Sequence, residues 1–243
     1  MEGLFCGAGF SRTIPNMPAS ASARQLEHSA CPWFRKPAVQ QVVREEMRQA
    51  APELEGAFGR RGLLVRGCQP LPGELQGHRL HTLHDTWLGP EGLEGEFRAD
   101  ESRLPVCSAS MSLVFSLHAL ECARDPAGLV AECARTLEPD GTMLVLALNP
   151  FSPFHLRWAR QGLQAFSGAQ VSRMLRSAGL EVHACRPVGV WWRARDALAD
   201  TRTPRLPMLR SSNLLLARRR EHGLTPLRLR RRPVPLGASA SPG

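Results

Sequence analysis

Residues 142–148, TMLVLAL, form an unbroken apolar run introduced by the turn-forming Pro139, Asp140 and Gly141. A strand of this kind presents apolar side chains on both sides of its sheet, so other elements must cover both faces. GLLVRG at 62–67 and SMSLVFSL at 110–117 have the same character, and HRLHTLH at 78–84 and GEFRAD at 95–100 are more polar strand candidates. LEVHACRPVG at 180–189 and NLLLARR at 213–219 bring the set to seven. Helical patterns fall between them. From Pro37, suited to a first helical turn, AVQQVVREEMRQA places Val39, Val42, Val43 and Met47 on one face, and Pro52 is expected to end the helix. Asp125-Pro126 opens a second helix reaching about Leu137, with Leu129, Val130 and Cys133 on its inner face. A third covers about 168–178 and stops at Gly179. Strands alternating with helices predict an α/β protein built on a mostly parallel sheet.

Most of the 243 residues are needed for that sheet, so one domain over 33–220 is expected, with the 43% hydrophobic content of a soluble globular chain. Residues 1–30 are rich in Ser, Ala, Pro and Gly without periodicity, and are expected to be a disordered extension. Residues 221–243 read as a basic, Pro/Gly-rich tail. The basic residues are almost all arginine, Lys36 being the only lysine, and tyrosine is absent. That skew fits the codon bias of a GC-rich bacterial genome and carries little chemistry. The net charge of +9 is concentrated near the C-terminus, where Arg218, Arg219, Arg220, Arg228, Arg230, Arg231 and Arg232 face only Glu221. A nucleic-acid partner and a solvated tail both fit this cluster, and the tail is favoured. The seven cysteines are scattered without C-x-x-C spacing, which points to a reduced, cytoplasmic protein without a metal site. Leu4-Phe5-Cys6 lacks the basic and apolar segments of a lipoprotein signal, and no apolar stretch reaches the roughly 20 residues of a membrane span.

The most specific text is ADESRLPVCSASMSLVFSLHALECARDPAGLVAECARTLEPDGTMLVLALNP, residues 99–150. It sets Asp100 after the third strand candidate, then Leu104-Pro105, His118-Ala119-Leu120-Glu121 after the fourth, Asp125-Pro126 at a helix start, and Arg135-Thr136-Leu137-Glu138-Pro139-Asp140-Gly141 before the fifth. In order and spacing this resembles the class I S-adenosylmethionine-dependent methyltransferases of the type 11 kind. WFRKPAVQQVVREEM before the first strand and NPFSPFHLRW after the fifth extend the resemblance over about 33–220. It implies a Rossmann-like seven-stranded mostly parallel sheet with helices on both faces and an antiparallel last strand. It also implies S-adenosylmethionine as cofactor and methyl transfer to a small molecule. An inactive scaffold or binding protein on the same fold is the alternative, with an RNA-directed protein behind it.

The resemblance also locates a site. In the family a glycine-rich turn after the first strand lets backbone approach the cofactor, and here its counterpart is Gly67, Cys68, Gln69, Pro70, Leu71, Pro72 and Gly73. Two prolines stiffen that loop, and Arg66 stands where an acidic motif is usual. Only about ten residues separate Gly67 from His78, the lower limit for a parallel crossover, so the intervening helix is expected to shrink to a loop or single turn. Asp85, beside His84, is the counterpart of the ribose-binding carboxylate, with a surface turn residue as the alternative. Asp100, Glu101 and Ser102 would lie near the adenine, and Leu117 would end the fourth strand against the cofactor. Ser112 replaces the Asp usual in that strand. His118 is the candidate base, though a packing and hydrogen-bonding role is the commoner one at such a position. Asn149, Phe151, Phe154 and Trp158 are the candidate acceptor-binding residues. Methyl transfer needs little acid–base chemistry, since the sulfonium is already activated and alignment supplies most of the effect.

Overall fold

The computed structural model describes residues 32–154, 163–190 and 207–220. The expected N-terminal extension, Trp158 and most of the arginine-rich tail lie outside the described residues. The centre of the fold is strand β4, Met111–Leu117, buried along its whole length. β1 (Phe58–Arg66) and β5 (Leu137–Leu148) flank it in parallel, and β2 (Arg79–Gly89) runs parallel outside β1. With β3 (Gly92–Gly95), β6 (Glu181–Val188) and β7 (Ser212–Arg218), the order across the sheet is β3-β2-β1-β4-β5-β7-β6. β7 is antiparallel to both its neighbours, as expected of the last strand.

The pleat sends alternate side chains to opposite faces, and each face has its own core. On one face α1 (Pro37–Glu55) lays Val43, Ala50 and Leu54 against Leu64, Leu113, Phe115, Leu144 and Leu146. On the other, α2 (Pro126–Thr136) and α3 (Gly168–Ser177) cover Leu63, Val65, Val114, Met143 and Val145 with Leu129, Val130, Val171 and Leu175. Full burial of one such side chain is worth about 1.5–3 kcal/mol. The helix starts follow local chemistry. Asp125 accepts the Gly128 amide at 3.0 Å ahead of Pro126, and Ser167 and Gln170 form a reciprocal capping box.

Three sequence expectations need correction. GEFRAD at 95–100 is not a parallel third strand: β3 is Gly92–Gly95 and pairs antiparallel with β2, while Ala99 and Asp100 make only isolated bridges. Gly89-Pro90-Glu91-Gly92 turns the chain straight back, whereas a parallel return needs a crossover of a dozen or so residues. Pro52 does not end α1, which continues to Glu55. Pro52 falls in the last turn, and its carbonyl still accepts the Gly56 amide at 3.3 Å. The turn at Pro139-Asp140-Gly141 is an irregularity inside β5 rather than a break before it. Leu137 pairs with Met111, Asp140 takes φ +61°, and pairing resumes at Leu113 and Thr142. The connection from β1 to β2 carries no helix, as its length requires.

Candidate functional site

Ligands in open α/β sheets bind beyond the C-terminal ends of the strands, where neighbouring connections diverge. Here the connections after β1 and β4 do not diverge. The Gly67 amide donates to the Leu117 carbonyl at 2.9 Å, and a Cβ at Gly67 would stand 2.0 Å from the His118 carbonyl oxygen. Only glycine permits that approach. Beyond it, Cys68, Leu71 and Leu75 turn into the core beneath α1. Gln40 of α1 donates to the Pro70 carbonyl at 3.0 Å and fastens the loop from above.

Arg66, the last residue of β1, is 5% exposed. Its Nε donates to Asp85 Oδ1 at 2.7 Å and its Nη2 to Asp85 Oδ2, while Nη1 donates to the carbonyls of Gln69 at 2.7 Å and Leu71 at 2.5 Å. The guanidinium lies 5.1 Å from the Trp87 ring centre. Gly73 closes over the pair, since a Cβ there would meet Asp85 Oδ2 at 2.9 Å and Arg66 Nη2 at 3.2 Å. The fork thus satisfies both oxygens of the carboxylate and gathers the loop carbonyls around itself. Gly67, Cys68, Gln69, Gly73, Asp85 and Leu117 do come together, through this arginine and the Gly67–Leu117 contact.

The residues 100–102 form a second, separate arrangement. Asp100 Oδ1 accepts the Ser102 amide at 2.8 Å and also its hydroxyl. That hydroxyl, then the amide, hold the Asp100 carboxyl below the usual carboxylate range. Glu101 is buried and accepts the backbone amides of Arg124 at 2.9 Å and Asp125 at 3.3 Å, in front of α2. Burial pushes its pKa up, and the two amides pull it the other way. On β2, His84 Nδ1 meets Glu96 Oε2 at 2.6 Å, a contact made by the hairpin.

His118 sits at the end of β4 with φ +49° and is fully buried. Its Nε2 is 3.0 Å from Glu46 Oε2, its Nδ1 is 3.4 Å from Glu121 Oε1, and the Phe34 ring packs at 5.4 Å. Burial alone would lower its pKa, but the bonds to Glu121 and Glu46 outweigh it and carry the imidazole to about 10. It is therefore an imidazolium at neutral pH, a donor on both nitrogens and unable to accept a proton. Glu46 Oε1 also accepts the hydroxyls of Ser211 at 2.6 Å and Ser212 at 2.5 Å. Sequence reasoning missed Glu46, Ser211 and Ser212. The available signal was Glu46 itself, three residues after Val43 and four before Ala50, a carboxylate on the buried face of α1.

After β5, the Asn149 amide donates to the carbonyls of Met208 at 2.6 Å and Arg210 at 2.9 Å, and its oxygen accepts the Phe151 amide at 3.1 Å. Asn149 thereby ties two connections together. Phe151 is 66% exposed and Met208 63%, which leaves apolar surface beside this tie. Phe154 packs against the α1-side core, and Trp158 lies outside the described residues. An open cavity of about 690 Å³ lies elsewhere, lined by Gly168, Ser172, Arg173, Arg176, Ser177 and Cys185, and holds none of the sequence-predicted site residues.

Residues 84–145 match the family described as methyltransferase domain. A probable S-adenosylmethionine-dependent methyltransferase of Mycolicibacterium smegmatis is 32% identical over 111 residues, covering 42% of this chain and 40% of that protein. The malonyl-[acyl-carrier protein] O-methyltransferase of Hahella chejuensis is 35% identical over 100 residues, covering 41% and 35%. The chain thus spans less than half the length of these curated relatives. Among solved structures, a SAM dependent methyltransferase from Aquifex aeolicus superposes with a TM-score of 0.52 at 14% identity, covering 79% of this chain and 97% of the other, a likeness of fold.

Proposed function

We propose that this chain is a class I S-adenosylmethionine-dependent methyltransferase, a reading supported by its strand order and central segment, and that it methylates a small molecule. The observation that carries the reading is the order β3-β2-β1-β4-β5-β7-β6 with a reversed β7, shared with a sequence match that runs from β2 to β5. The acceptor side fits the tie at Asn149, where Phe151 and Met208 offer apolar surface next to fixed backbone groups. The Hahella relative is named for methylating a malonyl group on a carrier protein, so a small acyl acceptor is one member of the class proposed. A cytoplasmic place belongs to this reading, in keeping with cysteines scattered without C-x-x-C spacing. No described helix is long and apolar enough to cross a membrane.

The cofactor of this family supplies a methyl group already activated on a sulfonium. In the arrangement described, the residues after β1 do not fit it. Both oxygens of Asp85 are given to Arg66, and Gly67 rests on the loop after β4. His118, held as an imidazolium, is assigned to positioning α1 over the strand ends rather than to taking a proton.

The closed loop also favours a second reading, a methyltransferase-fold binding module without catalysis. Equilibrium binding of methyl-tritiated S-adenosylmethionine, with S-adenosylhomocysteine as competitor, separates the two. Competed binding by the wild type or by a variant lacking the Arg66 side chain supports the enzyme. Absence of binding by both at millimolar ligand would overturn it in favour of the binding module.

A further inference from the structure

We infer that Arg66 sets access to the cofactor site: its guanidinium occupies the Asp85 carboxylate, and ligand binds only when that pair opens. The inference rests on the methyltransferase reading and concerns the same site. Three observations carry it. First, the competition is for the same carboxylate: Asp85, within β2 beside Leu64 of β1, is the residue the resemblance assigns to the ribose diol, and each of its oxygens already accepts from Arg66. Second, the same guanidinium gathers the loop. Nη1 holds the carbonyls of Gln69 and Leu71, which draws residues 67–73 down over the strand end. Releasing Asp85 therefore frees the carboxylate and loosens the loop together. Third, the arginine has no cheap alternative place in the closed loop. A buried guanidinium without its carboxylate carries an uncompensated charge. The face of Trp87 and the cap of Gly73 enclose it on two further sides.

The thermodynamic consequence is direct. When the competent state is a small fraction of the population, the apparent dissociation constant rises by the inverse of that fraction. Removing Arg66 removes this factor without adding a ligand contact. Arg66 thus acts as a positioning residue that opposes binding, and its loss strengthens affinity, the reverse of what deletion of an ordinary site residue does.

The test is calorimetric titration of S-adenosylhomocysteine into the wild type, Arg66→Ala and Arg66→Met, the last keeping side-chain bulk without charge, with folding of each verified by circular dichroism. The expected result is at least tenfold tighter binding by either variant than by the wild type. In the tighter variant, free guanidinium at a few millimolar should weaken binding by re-forming the contact with Asp85, whereas sodium chloride at equal ionic strength should not. Wild-type affinity equal to or better than that of the variants overturns the inference and leaves the methyltransferase reading standing. Absence of binding by all three proteins overturns both.

Discussion

Replacing Glu46 tests the buried network that fixes α1 to the strand ends. Glu46→Ala removes the 3.0 Å partner of the His118 imidazolium and the acceptor for the Ser211 and Ser212 hydroxyls. Glu121 remains, at 3.4 Å. Breaking a fully buried charge pair from one side costs about 3–5 kcal/mol, a large share of the roughly 5–15 kcal/mol that holds a domain folded. Glu46→Gln keeps the volume and a hydrogen-bonding oxygen but removes the charge, so its loss should be smaller. The dependence on pH gives the sharper signature. The folded His118 pKa is raised from 6.5 to about 10. The folded state then holds a proton the unfolded state has released, so this stabilisation is complete below about pH 6.5 and is lost as pH rises through 10. Its slope is at most about 1.4 kcal/mol per pH unit. Urea unfolding at intervals from pH 6 to 10 measures both quantities. The wild-type midpoint should fall across this range, and the fall should be shallower in Glu46→Gln. A loss below about 1 kcal/mol in Glu46→Ala, or the same slope in wild type and Glu46→Gln, refutes the reasoning.

Gly67→Ala would place a methyl group 2.0 Å from the His118 carbonyl oxygen, and overpacking of this kind typically costs about 1–3 kcal/mol, to be read from the denaturation midpoint. Ser167→Ala removes the acceptor for the Gln170 amide at the start of α3 and should cost about 0.5–2 kcal/mol in the same assay. Cys133 is buried, and burial pushes its thiol up to about 12, so iodoacetamide at pH 8 should leave it unlabelled in the native protein and label it in urea, as followed by peptide mass spectrometry. Cys185, exposed on β6, should react without urea.

The parts of the fold legible in the sequence were those with local causes. TMLVLAL announced β5 through its apolar continuity, and Asp125-Pro126 announced α2 through a cap that depends on residues three apart. GEFRAD has the length of a strand, but the turn signal Gly89-Pro90-Glu91-Gly92 upstream of it makes the return antiparallel and places β3 earlier, at Gly92–Gly95. The site was legible as a neighbourhood, but its electrostatics were not. Arg66 and Asp85 are 19 residues apart, and they meet only because β1 and β2 pair with Leu64 beside Asp85 and Arg66 beside Trp87, a register that neither segment contains by itself. Glu46 and His118, 72 apart, meet only when α1 packs on the sheet, so a one-residue sequence clue stood in for a tertiary fact.

The insertion of β7 between β5 and β6 has a kinetic side. β7 is the last of the described strands, yet its neighbours in the sheet are synthesised earlier and are not paired with each other. Until Ser212–Arg218 arrives, β5 has an open apolar edge and β6 lacks its partner among the described strands. The closing step therefore joins segments about seventy residues apart along the chain, a non-local pairing that is intrinsically slow. An emerging chain keeps that edge exposed throughout, so the wait for β7 is the interval in which it is open to chaperone capture or to pairing with another copy.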